Sequence, residues 1–258
     1  IKANVYNSLS HVYFTANDFE SAIDYSIKAI DIHIIEKDSI GLSSTYNNLA
    51  IIYKNINNLE EALKYNLLAL ELNKKRNDKI GIAKSYNNLG QVYEFSGKEK
   101  QALNYYKNSC LLNKEYKALN TTPLRNLARL LYKNNKLDSA KLYFSMAIII
   151  EKQVNRAGVL KEIYTDLLRI SIENNEKNNA LSYQKTIDSL NLQITATESE
   201  EKLRALENQY KAKASEKELS QTIKDNNKNR VIFIIILILL ITLGLFMYQK
   251  NKNSKLKL

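Results

Sequence analysis

The chain has 258 residues, 45% hydrophobic and 25% charged, with six glycines, one proline, one cysteine and no tryptophan. This composition excludes disorder, a turn-rich all-β protein and, with Cys110 alone, an internal disulfide or a multi-cysteine metal site. The net charge of +11 is diffuse, with 25 basic and 19 acidic residues over 1–182, 9 and 8 over 183–230, and 4 and 0 over 231–258, and no recognition-helix pattern accompanies it, so nucleic-acid binding is not expected.

Abundant Leu, Ala, Lys, Glu and Ile predict an all-α fold. The stretch STYNNLAIIY at 44–53 is nearly rewritten as KSYNNLGQVY at 84–93, and the self-similarity extends over the first two-thirds of the chain. Ala-x-x-Tyr occurs at Ala22 and Tyr25, Ala62 and Tyr65, Ala102 and Tyr105, Ala140 and Tyr143, and Ala180 and Tyr183. Sixteen residues before each Ala stand Tyr6, Tyr46, Tyr86, Leu124 and Tyr164, followed three further on by Leu9, Leu49, Leu89, Leu127 and Leu167. Next come Ser10, Ala50, Gly90, Ala128 and Leu168, and then Tyr13, Tyr53, Tyr93, Leu131 and Ser171. Large, large, small, large at i, i+3, i+4 and i+7 is one helix face, and the small residue admits a second helix. Polar turns such as TANDFES, NINNLEE and NNKLDS close each pair. Five helical hairpins are therefore expected near 3–40, 43–80, 83–119, 121–158 and 161–187, making an array over 1–187.

The order Tyr-x-x-Leu-(Gly/Ala)-x-x-Tyr, then Ala, an aromatic and Ala, resembles the tetratricopeptide repeat (TPR). The family period is about 34 residues; the period here is about 40, as in the long-repeat variety of kinesin light chains and many bacterial regulators, and the family's closing Pro is absent. The resemblance implies a superhelix whose inner wall, made by the first helix of each hairpin, binds a protein or peptide. On that wall it places Asn7, Asn47 and Asn87, then Asn48, Asn88 and Asn126, with His11, Gln91, Arg129 and Arg169 a turn further on. Asn amides one repeat apart can pair with an extended peptide backbone, and Lys84, Arg125, Arg129 and Arg169 would favour an acidic ligand. The two-carboxylate clamp of chaperone-binding members is matched only by Asn48 and Lys84, so co-chaperone function is disfavoured.

No catalytic constellation is legible: the two histidines, His11 and His33, are 22 positions apart without ligand-spaced partners, and no phosphate loop or nucleophile turn occurs. His11 reads as solvated or groove-lining, His33 as a surface residue late in a helix, and Cys110 as a small packing residue. No enzyme activity, cofactor or metal is expected.

Residues 188–230 lack Gly and Pro and predict a long charged helix, with apolar spacing that permits a homodimeric coiled coil. The uncharged run VIFIIILILLITLGLFMY at 231–248 is expected to span a membrane once, since 18 helical residues reach about 27 Å. The basic tail 249–258 favours a cytoplasmic C-terminus, which places the repeats on the periplasmic side of a bacterial inner membrane. This order is similar to the input half of bacterial membrane-bound regulators of histidine-kinase or helix-turn-helix type, and implies a sensory module without its output domain in this segment. A tail-anchored cytoplasmic TPR adaptor is the alternative.

Overall fold

The computed structural model describes the backbone of residues 2–255 and the side chains of residues 2–231, 233–235 and 237–238. Among the described residues it has ten α-helices and no strand: α1 (Lys2–Thr15), α2 (Phe19–Ile35), α3 (Ser39–Asn55), α4 (Leu59–Lys75), α5 (Lys79–Phe95), α6 (Glu99–Glu115), α7 (Thr122–Lys133), α8 (Leu137–Gln153), α9 (Ala157–Glu173) and α10 (Lys177–Lys255). Contacts divide the chain into two units, residues 1–193 and 194–258.

Every connection in the first unit begins the same way. The residues Asn17, Lys37, Asn57, Asn77, Gly97, Lys117, Asn135, Asn155 and Asn175 all have φ between 51° and 71°. Each N–H of this set reaches back three residues, and the next N–H reaches back five, as when Asn57 bonds Lys54 O at 3.0 Å and Asn58 bonds Tyr53 O at 2.9 Å. This is the Schellman closure, in which a left-handed residue satisfies the last helical carbonyls. Asn occupies six of the nine positions because its short polar side chain tolerates that conformation better than other residues with a Cβ. In the first four connections the following residue then caps the next helix: Asp18, Asp38, Asn58 and Asp78 each accept a hydrogen bond from a backbone N–H of its first turn. Three residues thus end one helix and begin another.

Within the first three hairpins the tyrosines form the apolar seam. Tyr25, Tyr65 and Tyr105 stack on Tyr13, Tyr53 and Tyr93 at 5.3, 5.6 and 5.2 Å between centroids, and tilt against Tyr6, Tyr46 and Tyr86 at 6.0, 5.7 and 5.8 Å. Offset ring pairs at this spacing add about 0.5–1.5 kcal/mol beyond their buried area. In the fourth hairpin Leu124 and Leu131 stand where the flanking rings would be, and the fifth keeps only Tyr164 against Tyr183 at 5.8 Å. Ala22, Ala62, Ala102 and Ala140, with Ala29, Ala69, Ser109 and Ala147, are fully enclosed at the helix crossings.

A second periodic set joins each hairpin to the next. His33, Asn73, Asn113 and Glu151 lie near the ends of α2, α4, α6 and α8 and are all buried, which corrects the surface position expected for His33. His33 Nδ1 is 3.0 Å from Asp38, and its ring occupies the space a Cβ on Gly41 would need, only 2.0 Å from His33 Cε1. Asn73 donates to Ser85 at 3.1 Å, Asn113 to the carbonyl of Asn120 at 3.2 Å, and Arg156 pairs with Glu151 at 2.7 Å. A buried polar group without such a partner would destabilise by about 1–3 kcal/mol.

In the second unit, α10 is exposed along its length from 195 to 231, including Leu203, Leu206 and Tyr210. Among the described residues no helix is long and apolar enough to cross a membrane. The run 231–248 and the tail 249–258 fall largely outside the residues whose side chains are described.

One glycine carries a testable consequence. A Cβ at Gly90 would lie 2.6 Å from the ring of Tyr106, which is fully buried and donates its hydroxyl to Glu94 at 2.6 Å. Gly90→Ala gains helix propensity but overpacks this contact, for a net loss of about 1–2 kcal/mol. Adding Tyr106→Asn rebuilds the Ala50 and Asn66 pair of the second hairpin and recovers part of the loss, as read by urea denaturation followed by circular dichroism.

Candidate functional site

The wall predicted to bind a ligand is formed by α1, α3, α5, α7 and α9, whose equal spacing brings residues about 40 apart into contact. Most of the predicted asparagines turn inward rather than toward the groove. Asn47, Asn87 and Asn88 are buried. Asn88 Nδ2 donates to Asn47 Oδ1 at 3.2 Å, Asn126 Nδ2 donates to Asn87 Oδ1 at 3.0 Å, and Asn47 Nδ2 returns to the Ser43 carbonyl at 3.1 Å. Asn7 accepts from Thr45 at 3.0 Å. The ladder exists, but its rungs run from one repeat to the next, because an amide carries both a donor and an acceptor and each is used on a neighbouring repeat or turn. Asn48 alone among the predicted amides is exposed and makes no hydrogen bond among the described residues; Asn126 is half-buried.

The predicted cations are also engaged. Arg125, with 12% of its side chain exposed, pairs with Glu162, while Arg129 and Arg169 share Asp166 at 2.6 and 3.4 Å. These three guanidinium groups and two carboxylates together carry one net positive charge. Lys84 is different: it is exposed and has no ion pair among the described residues, yet protein on its flanks removes water and pulls its ammonium below the usual lysine range.

Sequence reasoning missed the residues between these. Lys54 donates to Gln91 at 2.6 Å and lies 5.3 Å from the ring of Phe95, and desolvation lowers its pKa against the opposing pull of Glu94. A pocket of about 190 Å³ opens between α1 and α3, with Asn7, His11, Phe14, Asn48 and Ile51 among its walls. Its volume suits one side chain rather than a cofactor. His11 and Gln91 were placed on this wall from the repeat register; Phe14 and Phe95 end their helices outside the quoted motif, so only that register extended by one turn would have found them. Among the described residues no group of His, Cys, Asp and Glu could hold a metal ion.

The two kinds of asparagine separate by stability. Asn47→Ala removes the acceptor of buried Asn88 and is expected to cost about 1–3 kcal/mol, whereas Asn48→Ala changes stability by no more than about 0.5 kcal/mol, both read from denaturant midpoints.

Comparison with known proteins agrees with this architecture. The tetratricopeptide-repeat family profile matches residues 1–75 and 41–110. No curated protein sequence matches the chain. Among solved structures, BtubC (BKLC) from P. vanneervenii is 17% identical with a TM-score of 0.63, over 74% of this chain and 80% of that one. A kinesin light chain with nearly identical TPR-like repeats from Podosopora anserina is 13% identical with a TM-score of 0.57, over 74% of this chain and 95% of that one. A Rap protein complexed with Competence and Sporulation Factor is 15% identical with a TM-score of 0.57, over 76% of this chain and 65% of that one. At these identities the likeness is one of fold. Residues 1–110 are tetratricopeptide repeats, and the helical hairpins beyond them continue the same all-α superhelix.

Proposed function

We propose that the array is a protein- or peptide-binding module that takes an extended segment along the wall of α1, α3 and α5. The observation that carries this reading is what the wall leaves unused after its internal network is complete. The pocket between α1 and α3, the exposed amide of Asn48 at its edge and the ammonium of Lys84 on the neighbouring helix, neither group having a partner among the described residues, remain available. They suit a segment that presents one apolar side chain, a backbone amide and an acidic group. The Rap complex with Competence and Sporulation Factor supports the reading by fold alone.

The same proposal includes the membrane. The uncharged run 231–248 anchors the protein in a bilayer, α10 (Lys177–Lys255) runs from the last hairpin into it, and the module is the sensory input of a bacterial regulator with its repeats in the periplasm. Exposed Leu203, Leu206 and Tyr210 on α10 would pair two copies. Ligand binding would change the geometry of the hairpins, and a continuous helix would carry the change.

Two measurements test these parts separately. Peptides selected for binding from a random display library should be enriched in acidic residues, and Asn48→Ala with Lys84→Ala should weaken them about tenfold or more without moving the denaturation midpoint. Unaltered affinity removes the groove assignment. A reporter active only in the periplasm, fused ahead of the repeats, should be active; silence there with activity of a cytoplasmic reporter would favour the tail-anchored adaptor instead.

A further inference from the structure

Eight of the nine connections among the described helices have three residues, but 116–121, between α6 and α7, has six, and α7 has 12 residues where α3, α5 and α9 have 17. Pro123 sits in the first turn of α7. A helix starting a turn earlier would set the proline ring against the carbonyl of residue 119, so the first turn is barred. Asn120 instead accepts from the N–H of Thr122 at 3.1 Å and, through its carbonyl, from Asn113 at 3.2 Å.

The missing turn leaves a cavity of about 500 Å³ between α6, α8 and the 116–121 connection. Its walls are apolar, made by Cys110, Leu111, Leu142, Met146 and Ile150, and no carboxylate lines it. Burial pushes the Cys110 thiol up to about 12, so this sulfur is a passive wall. The polar lining is Asn113 and Asn120, which bond each other, and Lys107 and Lys114, two turns apart on α6. Neither lysine has an ion pair among the described residues.

We propose that this cavity is a ligand site for a monocarboxylate with a linear alkyl chain. A space of this size lies within the range of about 300–1,000 Å³ that small-molecule sites occupy, with the usual mostly apolar lining and few polar groups. A wholly neutral ligand would leave both lysines without a counter-charge, and a small polar anion would leave the apolar walls uncovered. An alkyl carboxylate satisfies both, with its chain against Cys110, Met146 and Ile150 and its carboxylate accepting from the ammonium groups of Lys107 and Lys114 at the cavity's polar edge. The site is separate from the wall of α1, α3 and α5.

Met146 is one of only two methionines in the chain, so methyl-labelled methionine gives a local report. Decanoate is titrated into the full chain held in lipid nanodiscs, which accommodate the run 231–248, and the Met146 methyl resonance, assigned by Met146→Leu, is followed. A saturable shift is expected with decanoate, at least about tenfold weaker with decanol and with the Lys107→Gln/Lys114→Gln double variant, since a charge-assisted contact is worth a factor of this order. Equal response to decanoate and decanol overturns the carboxylate assignment. A Met146 resonance unmoved by either compound, while the protein retains its helical spectrum, overturns the site.

Discussion

A left-handed residue every twenty positions, at 17, 37, 57, 77, 97 and 117 and again at 135, 155 and 175, is the constraint on which the array rests. It stops each helix and, in eight of the nine connections among the described helices, lets the next one start two residues later, antiparallel to the first. Helices of 17 residues span about 25 Å, so elements cut to one length stack with their residues in register. The family's closing proline is unnecessary because the turn is made by conformation and hydrogen bonds: the Schellman pair ends one helix and, in the first four connections, an Asp or Asn side chain opens the next.

Register turns a repeated sequence into repeated contacts. Tyr53 meets Tyr65 across a hairpin, and the same pair recurs forty residues on as Tyr93 and Tyr105. Asn47 meets Asn88 across the next gap, and Asn87 meets Asn126. Toward the end of the array the chemistry changes. Where α7 faces α9 the joint is ionic, through Arg125 with Glu162 and Arg129 with Asp166, rather than amide to amide. The same region holds the short α7 and the apolar cavity, so the break in the twenty-residue rhythm and the cavity lie together where the proline delays α7.

The hairpins, their small crossing residues and the tyrosine seam were legible because they obey helical spacing and repeat at a fixed interval. The fate of the asparagines was not. Asn88 and Asn126, at the same repeat position as Asn48, donate to Asn47 and Asn87 of the preceding repeat, whereas Asn7, the equivalent acceptor for Asn48, accepts from Thr45, so the neighbouring repeat's side chains decide which amide stays open to the groove. A family register carried over by motif assigned all of these amides to the groove. His33 misled for another reason: one residue read alone looks like a surface histidine, while 33, 73, 113 and 151 together form a buried polar series that no isolated position reveals. The cation pairing was hidden because Glu162 and Asp166 lie 37 residues from their partners, outside the quoted motif.

The most direct test of this account is the denaturation midpoint of two variants at one connector, Asn77→Gly and Asn77→Val. With φ of 56° at that position, glycine should preserve or raise stability, whereas a β-branched residue forced into the left-handed region should lose at least about 1–2 kcal/mol. Equal midpoints for the two variants would mean that the turn does not impose that conformation, and the twenty-residue register would need another cause.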